Sequence, residues 1–206
     1  MLTVAIASEN SNYDAQVYRA LLSMLLQVEV EIWSGHTLRF SGWPSVVRQA
    51  PAFLELAAKR GIQHALLAID NDGVLTRRIE HQPDHLPAEE ARDTQDGCAE
   101  CLLAESIPPE WKNPPLRCCI VVPVQTLETW LLVLKGHPFT EPVPEKRYAR
   151  RVLKKDLFGK HSPPEAERTR IALDLLKVPR ALELLRERPS FQRFEARLAK
   201  WRELTG

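Results

Sequence analysis

Two aspartates separated by one residue end an apolar run in the segment ALLAIDNDGVLTRR, residues 65–78. Alternate residues of a strand lie on the same side, so Asp70 and Asp72 can converge on one cation. The same pair, followed by Gly73, also suits a turn after a buried strand. Asp70 and Asp72 are therefore candidates for a metal site, for a phosphate-transfer site, or for a turn alone.

Two further acids follow apolar runs in the same manner as this pair. Glu9 comes after the first predicted strand, and Glu128 comes after the fourth. If the strands are parallel, all four carboxylates meet at one edge of the sheet, and a hard divalent cation, Mg²⁺ or Mn²⁺, would relieve their repulsion. Such an ion activates water and stabilises a phosphoryl oxygen. The alternative for Glu128 is a solvated acid that favours the first turn of a helix.

A second set of potential metal ligands lies between the third and fourth predicted strands. The segments HQPDH and CAEC contain two histidines and two cysteines, with twelve residues between the pairs: His81, His85, Cys98 and Cys101. This spacing predicts a structural Zn²⁺ site, whose binding energy would help to fold a long segment of low hydrophobicity. The alternative is that surface histidines lie beside a coincidental CxxC. Cys118 and Cys119 begin a predicted strand and are expected to pack in the core.

The elements that would position these residues alternate between strands and helices. Strands are predicted at 2–8, 28–33, 64–70 and 117–124, with helical patterns between them and after the last. This order predicts a mainly parallel α/β sheet flanked by helices, with function at the carboxyl ends of its strands. We expect an α/β domain over residues 1–140, a zinc-binding insertion over 73–117 within it, and a C-terminal helical region over 141–206 with breaks at its prolines.

Composition sets broad limits on the class of protein. The chain has 206 residues, of which 44% are hydrophobic and 27% are charged, and this balance is typical of a soluble globular protein. Its net charge of +1 neither favours nor excludes a polyanionic partner. Residues 146–160, KRYARRVLKKDLFGK, concentrate lysine and arginine and would suit either a phosphate backbone or a solvated helix face. No apolar run is long enough to span a membrane, and the first residues lack the basic start of a signal peptide, so a cytoplasmic protein is expected.

Several segments occur together in the order found in a known family. They are ASENSNYD (7–14), IDND (69–72), VPVQTLETWLL (122–132), LFGK (157–160) and SFQRF (190–194). In this order they resemble the Toprim domain of nucleases, primases and topoisomerases, and most of all the small Toprim-like proteins found among bacterial phage-defence genes.

The resemblance implies a Mg²⁺-dependent enzyme that acts on the phosphodiesters of DNA or RNA. It implies that Glu9, Asp70 and Asp72 bind the metal and that Glu128 is a further ligand or a base. Lys155 or Lys160 would then face the scissile phosphate. A topoisomerase needs a nucleophilic tyrosine on a large separate domain, so a nuclease is favoured. The resemblance also implies regulation by a partner ATPase that is encoded beside such proteins. The chain itself has no GxxxxGK[ST] loop.

Two other functions fit parts of the pattern. The segment DNDGVL matches the opening motif of haloacid-dehalogenase-like phosphatases, in which the first aspartate is the nucleophile and the second an acid or base. That motif normally lies on the first strand of its domain, whereas 69 residues precede Asp70 here. The remaining alternative is a catalytically silent binding module, in which the zinc segment and the basic helices contact a partner or nucleic acid.

Overall fold

The computed structural model describes residues 1–35, 38–70, 99–111, 117–123, 126–137 and 150–202. In these ranges the strands are Leu2–Ala7 (β1), Val30–Ile32 (β2), His64–Ala68 (β3) and Arg117–Val121 (β4). The α-helices are Tyr13–Leu26 (α1), Trp43–Lys59 (α2), Ala99–Ser106 (α3), Leu127–Leu134 (α4), Arg150–Phe158 (α5), Glu165–Leu176 (α6), Ala181–Arg186 (α7) and Pro189–Arg202 (α8). A 3-10 helix spans Pro109–Trp111.

The four strands form one parallel sheet in the order β2-β1-β3-β4. Parallel neighbours require a crossover connection, and α1 and α2 supply it for the first three strands. The pairs Ala7↔Leu67 and Ala68↔Val121 bring the carboxyl ends of β1, β3 and β4 to one edge. The predicted α/β fold with a mainly parallel sheet is confirmed.

Alternation along the strands divides the buried side chains between two faces of the sheet. Val4 and Ile6 of β1 contribute to a first core with α1, α4 and the C-terminal helices, whereas Ala5 and Ala7 contribute to a second core with α2 and α3. All five residues of β3 are buried, as expected for a central parallel strand covered on both sides. Cys119 lies in the first core and the partly buried Cys118 packs against the second, in agreement with the prediction that they pack in the core.

The described C-terminal helices pack on the first core around Trp130 of α4. The Trp130 indole Nε1 donates a hydrogen bond to Ser190 Oγ at 2.8 Å, and its ring centroid lies 5.1 Å from that of Phe191 and 6.0 Å from that of Phe194. Trp130 and both phenylalanines are almost fully buried. The helical region after residue 150 therefore shares a core with the sheet.

The structure also contains a helix that the sequence did not predict. Helix α3 lies within the predicted insertion 73–117, and it contributes Leu102 and Leu103 to the second core. Its buried Glu100 accepts hydrogen bonds from Arg197 of α8 at 2.6 and 3.2 Å. Because α3 is short and is held by an ion pair with a residue nearly a hundred positions away, it leaves little periodic signal in the sequence.

Within the described ranges, no helix is long and apolar enough to cross a membrane.

Candidate active site

Glu9 and Asp70 meet at the carboxyl edge of the sheet. Each lies two residues beyond its strand, Glu9 after β1 and Asp70 after the adjacent β3. The backbone N–H of Asp70 donates a hydrogen bond to Glu9 Oε1 at 2.8 Å. The structure therefore brings together two acids that are 61 residues apart in the sequence.

Asp70 also connects this edge to the start of α4. Its Oδ1 accepts a hydrogen bond from the backbone N–H of Leu127 at 3.1 Å, so the carboxylate satisfies one of the N–H groups at the N-terminus of the helix. The next residue, Glu128, lies in the first turn of α4 and is only 4% exposed. Glu128 is therefore not the solvated first-turn acid that was the alternative at this position.

The loop after β1 is held by its own hydrogen bonds. Asn10 Oδ1 accepts from the backbone N–H groups of Asn12 and Tyr13, both at 3.1 Å, while Asn10 N–H donates to Asp14 Oδ2 at 2.9 Å. These bonds fix the start of α1 beside Glu9. On the other side, the N–H of Gly42 donates to the Glu9 carbonyl at 3.4 Å, with Gly42 at φ +70°, a conformation that favours glycine.

These elements enclose a cleft of about 190 Å³, which we call the acidic cleft. Four acids contribute to its lining: Glu9, Asp14, Asp70 and Glu128. Tyr13, Lys154 and Arg168 complete much of the remaining wall. Three of the four acids come from the strand ends that the sequence singled out, and Asp14 is an addition from the first turn of α1.

The cations in the acidic cleft come from the C-terminal helices. Lys154 of α5 places its Nζ 3.8 Å from Glu128 Oε1. The Arg168 guanidinium of α6 lies 5.0 Å from the centroid of the Tyr13 ring. The same two cations line a second cleft of about 200 Å³ together with His161, Ser162 and Pro163.

The electrostatic field of the acids extends into α1. Burial raises the pKa of Tyr13 well above its usual value, the charges of Glu128 and Asp14 raise it further, and Arg168 acts in the opposite direction. Burial likewise raises the pKa of Tyr18, and the charge of Asp70 adds to this effect. Both phenols therefore stay protonated at neutral pH and can act as hydrogen-bond donors.

Comparisons with protein-family models, with curated proteins and with solved structures found no match for this chain.

The two predicted phosphate-facing lysines, Lys155 and Lys160, line neither cleft. Lys155 is exposed on α5, and Lys160 is half exposed and pairs with Glu167 at 2.7 Å. Lys154, next to Lys155 in the sequence, is the lysine that lines the clefts. One position along a helix turns a side chain by about 100°, so a basic run does not by itself identify the residue that faces the site.

Several other predicted ligands lie outside the described residues. They are Asp72 of the proposed Mg²⁺ site and His81, His85 and Cys98 of the proposed Zn²⁺ site. Cys101 lies in helix α3, and its side chain is outside the described part as well.

The donor set of the acidic cleft fits a hard divalent cation. Within the described residues, no three Asp, Glu, His or Cys side chains have the arrangement of a formed metal centre. Mg²⁺ does not need one, because it commonly binds one or two carboxylates and completes its shell with waters and substrate phosphates. The carboxylate oxygens of Glu9 and Asp70, each two residues beyond one of two adjacent strands, match that preference.

Sequence reasoning missed Tyr13, Asp14, Lys154 and Arg168. Tyr13 and Asp14 are within the quoted segment ASENSNYD, so their nearness to Glu9 was visible, although the direction of their side chains was not. Arg168 lies 40 residues beyond Glu128, and the packing of α6 against α1 and α4 places it in the cleft.

Proposed function

We propose that the protein is a metal-dependent nuclease of Toprim type, which hydrolyses phosphodiesters in DNA or RNA. The observation that carries the proposal is the meeting of Glu9, Asp70 and Glu128 in one cleft at the carboxyl edge of a parallel sheet. The four-stranded parallel sheet with helices on both faces is compatible with a Toprim-like fold. The ordered motifs of the sequence support the same class.

The residues of the acidic cleft have complementary roles in such a reaction. Glu9 and Asp70, together with Asp72, would hold Mg²⁺ or Mn²⁺, which when bound polarises a phosphoryl oxygen and activates water. Glu128 would act as a further ligand or as the base, and Lys154 Nζ lies 3.8 Å from its Oε1. Lys154 and Arg168 supply the positive charge that a phosphodiester requires.

The phosphatase alternative uses only part of this site. It assigns chemistry to Asp70 and Asp72, but it gives no role to Glu9 or to the buried Glu128. A nuclease uses all of them, because a cluster of carboxylates from several strands binds the metal. The phosphatase and the silent binding module are therefore outcomes of the test.

The test compares substrates and matched variants. Purified protein is incubated with plasmid DNA, tRNA and a phosphomonoester, each with Mg²⁺ or Mn²⁺. We expect cleavage of a nucleic acid, its loss in Glu9→Gln and Asp70→Asn, and wild-type rates in Glu55→Gln, an exposed acid on α2 that pairs with Lys59. Hydrolysis of the phosphomonoester alone would favour the phosphatase.

A partner ATPase is proposed as the regulator of the activity. If the isolated chain is inactive, the assay is repeated with the product of a neighbouring ATPase gene and under phage challenge. Protection by an Asp70→Ala/Asp72→Ala variant equal to that by the wild type would overturn the nuclease and leave the binding module.

We also propose a structural Zn²⁺ bound by His81, His85, Cys98 and Cys101. Elemental analysis should then find one zinc per chain, lost in a Cys98→Ala/Cys101→Ala variant. Zinc-free wild-type protein that is fully folded would refute this assignment.

A further inference from the structure

The Tyr13 hydroxyl is a buried hydrogen-bond donor without a partner in the described structure. Tyr13 is 1% exposed, and its Oη has no hydrogen-bond partner among the described residues. The side chain lines the acidic cleft, where the charges of Glu128 and Asp70 act on it. Because native proteins rarely leave a buried polar group unsatisfied, this hydroxyl points to a ligand that accepts its hydrogen bond.

Arg168 presents a second buried donor to the same cleft. Its Nε is buried and has no hydrogen-bond partner among the described residues, and its Nη2 lies 4.0 Å from Glu165 Oε2, too far for a hydrogen bond. The Arg168 guanidinium lies over the Tyr13 ring, with its Cζ 5.0 Å from the ring centroid, and both side chains line the acidic cleft. A guanidinium fixed in this way is suited to the oxygens of a phosphate.

The two clefts are neighbours that share two lining cations. Lys154 and Arg168 line both, the acidic cleft and the second cleft that contains His161 and Ser162. The second cleft contains none of the four acids. A ligand that extends from the acidic cleft into the second cleft would therefore move away from the four acids. There it would contact the cations Lys154 and Arg168 and the hydroxyl of Ser162.

We propose that Tyr13, Lys154 and Arg168 bind a phosphate of the substrate beside the carboxylates, and that the second cleft takes the next phosphate of the same strand. This inference rests on the proposed nuclease function and specifies the class of its substrate. The substrate is an oligonucleotide strand that offers at least two consecutive phosphates, in contrast to a phosphomonoester.

A purely structural role for the cations makes a different prediction. Lys154 and Arg168 would then serve only to offset the charges of the acids, and the Tyr13 hydroxyl would have no role. Tyr13→Phe separates the two possibilities, because it removes the hydroxyl and leaves the ring, the charges and the acids unchanged.

The experiment measures binding of a fluorescein-labelled single-stranded DNA 8-mer by fluorescence anisotropy, in EDTA and in Ca²⁺ at low salt. We expect Arg168→Gln to weaken binding by about tenfold or more and Tyr13→Phe by severalfold, as for lost hydrogen bonds to a charged group. The matched control is Arg170→Gln, an exposed arginine on the same helix that pairs with Asp174, for which we expect wild-type binding. Circular dichroism and thermal unfolding verify that each variant is folded.

Competition with unlabelled ligands tests the second phosphate. A dinucleotide with two phosphates should displace the 8-mer at a concentration at least tenfold lower than inorganic phosphate does, and His161→Ala should reduce this difference. Equal competition would overturn the part of the proposal that concerns the second cleft.

A measurement of metal binding distinguishes a failure of the phosphate site from a failure of the proposed nuclease function. Mn²⁺ binding, measured by calorimetry, should be the same in Tyr13→Phe and in the wild type. If the wild type binds no Mn²⁺, the nuclease fails, while the contrast between variants in EDTA still tests the phosphate site. Wild-type affinity of Tyr13→Phe in both buffers, or no binding of the 8-mer by the wild type, would overturn the phosphate site.

Discussion

Replacing Tyr13 with phenylalanine should make the protein more stable. The hydroxyl is buried without a hydrogen-bond partner among the described residues, and a group in that state costs about 1–3 kcal/mol. Phenylalanine keeps the edge contact with Phe158, whose ring centroid is 6.1 Å away, and the contact with the Arg168 guanidinium. The substitution therefore removes the unfavourable group and preserves the packing.

The expected gain is large enough to measure. We predict an increase of about 1 kcal/mol or more in the free energy of unfolding, which for a chain of this length raises the Tm by about 2–4 °C for each kcal/mol. Urea unfolding followed by circular dichroism measures it directly. Tyr13→Leu is the control for the ring and should be less stable than the wild type, because it also removes the aromatic contacts.

A stability change of the opposite sign would refute the reasoning. If Tyr13→Phe is destabilised by 1 kcal/mol or more, the hydroxyl makes a favourable hydrogen bond in the ligand-free protein. If Tyr13→Phe is instead more stable and binds DNA more weakly, the Tyr13 hydroxyl contributes to ligand binding and lowers the stability of the free protein.

Three further perturbations have definite expected outcomes. Glu100→Ala should lower the free energy of unfolding by about 3–5 kcal/mol, because it leaves the Arg197 partner of a buried ion pair uncompensated; a loss below about 1 kcal/mol in urea unfolding would show that the pair is unimportant. Burial raises the pKa of Tyr13 and Tyr18 above 10, so stability is fully present below pH 10 and should fall above it, by up to about 1.4 kcal/mol per pH unit for each tyrosine. Urea unfolding between pH 9 and 11 checks this, and an equal slope in Tyr13→Phe would contradict it. Asp70→Asn and Asp70→Ala should both abolish cleavage, but only the alanine variant should lose about 1 kcal/mol of stability, because asparagine keeps an oxygen that accepts from the N–H of Leu127; equal stabilities would rule out the capping role.

The sequence predicted the elements of the sheet because their signals are local. The buried run of β3 and the alternating pattern of β2 do not depend on distant residues, and the order of strands and helices then requires parallel pairing. The nearness of Glu9 and Asp70 followed from that pairing alone, because both acids lie just beyond adjacent strands.

The other half of the site depends on tertiary packing and was not predictable in this way. Lys154 and Lys155 are neighbouring residues of the same type, and the sequence does not distinguish them. The orientation in which α5 packs on the core decides which of them faces Glu128. Arg168 reaches Tyr13 because α6 packs against α1. Helix α3 was missed for the same reason, since the Glu100–Arg197 pair that holds it joins distant parts of the chain.

The most direct test of the proposed metal site is the position of a bound ion. Crystals of the full chain soaked in MnCl₂ should give an anomalous difference peak in the acidic cleft, with carboxylate oxygens of Glu9 and Asp70 at about 2.1 Å or one water molecule away. A peak there, absent from crystals of Asp70→Asn, is the result that we predict. An acidic cleft without a peak at a saturating Mn²⁺ concentration would contradict the assignment of these carboxylates to a metal site, and with it the nuclease.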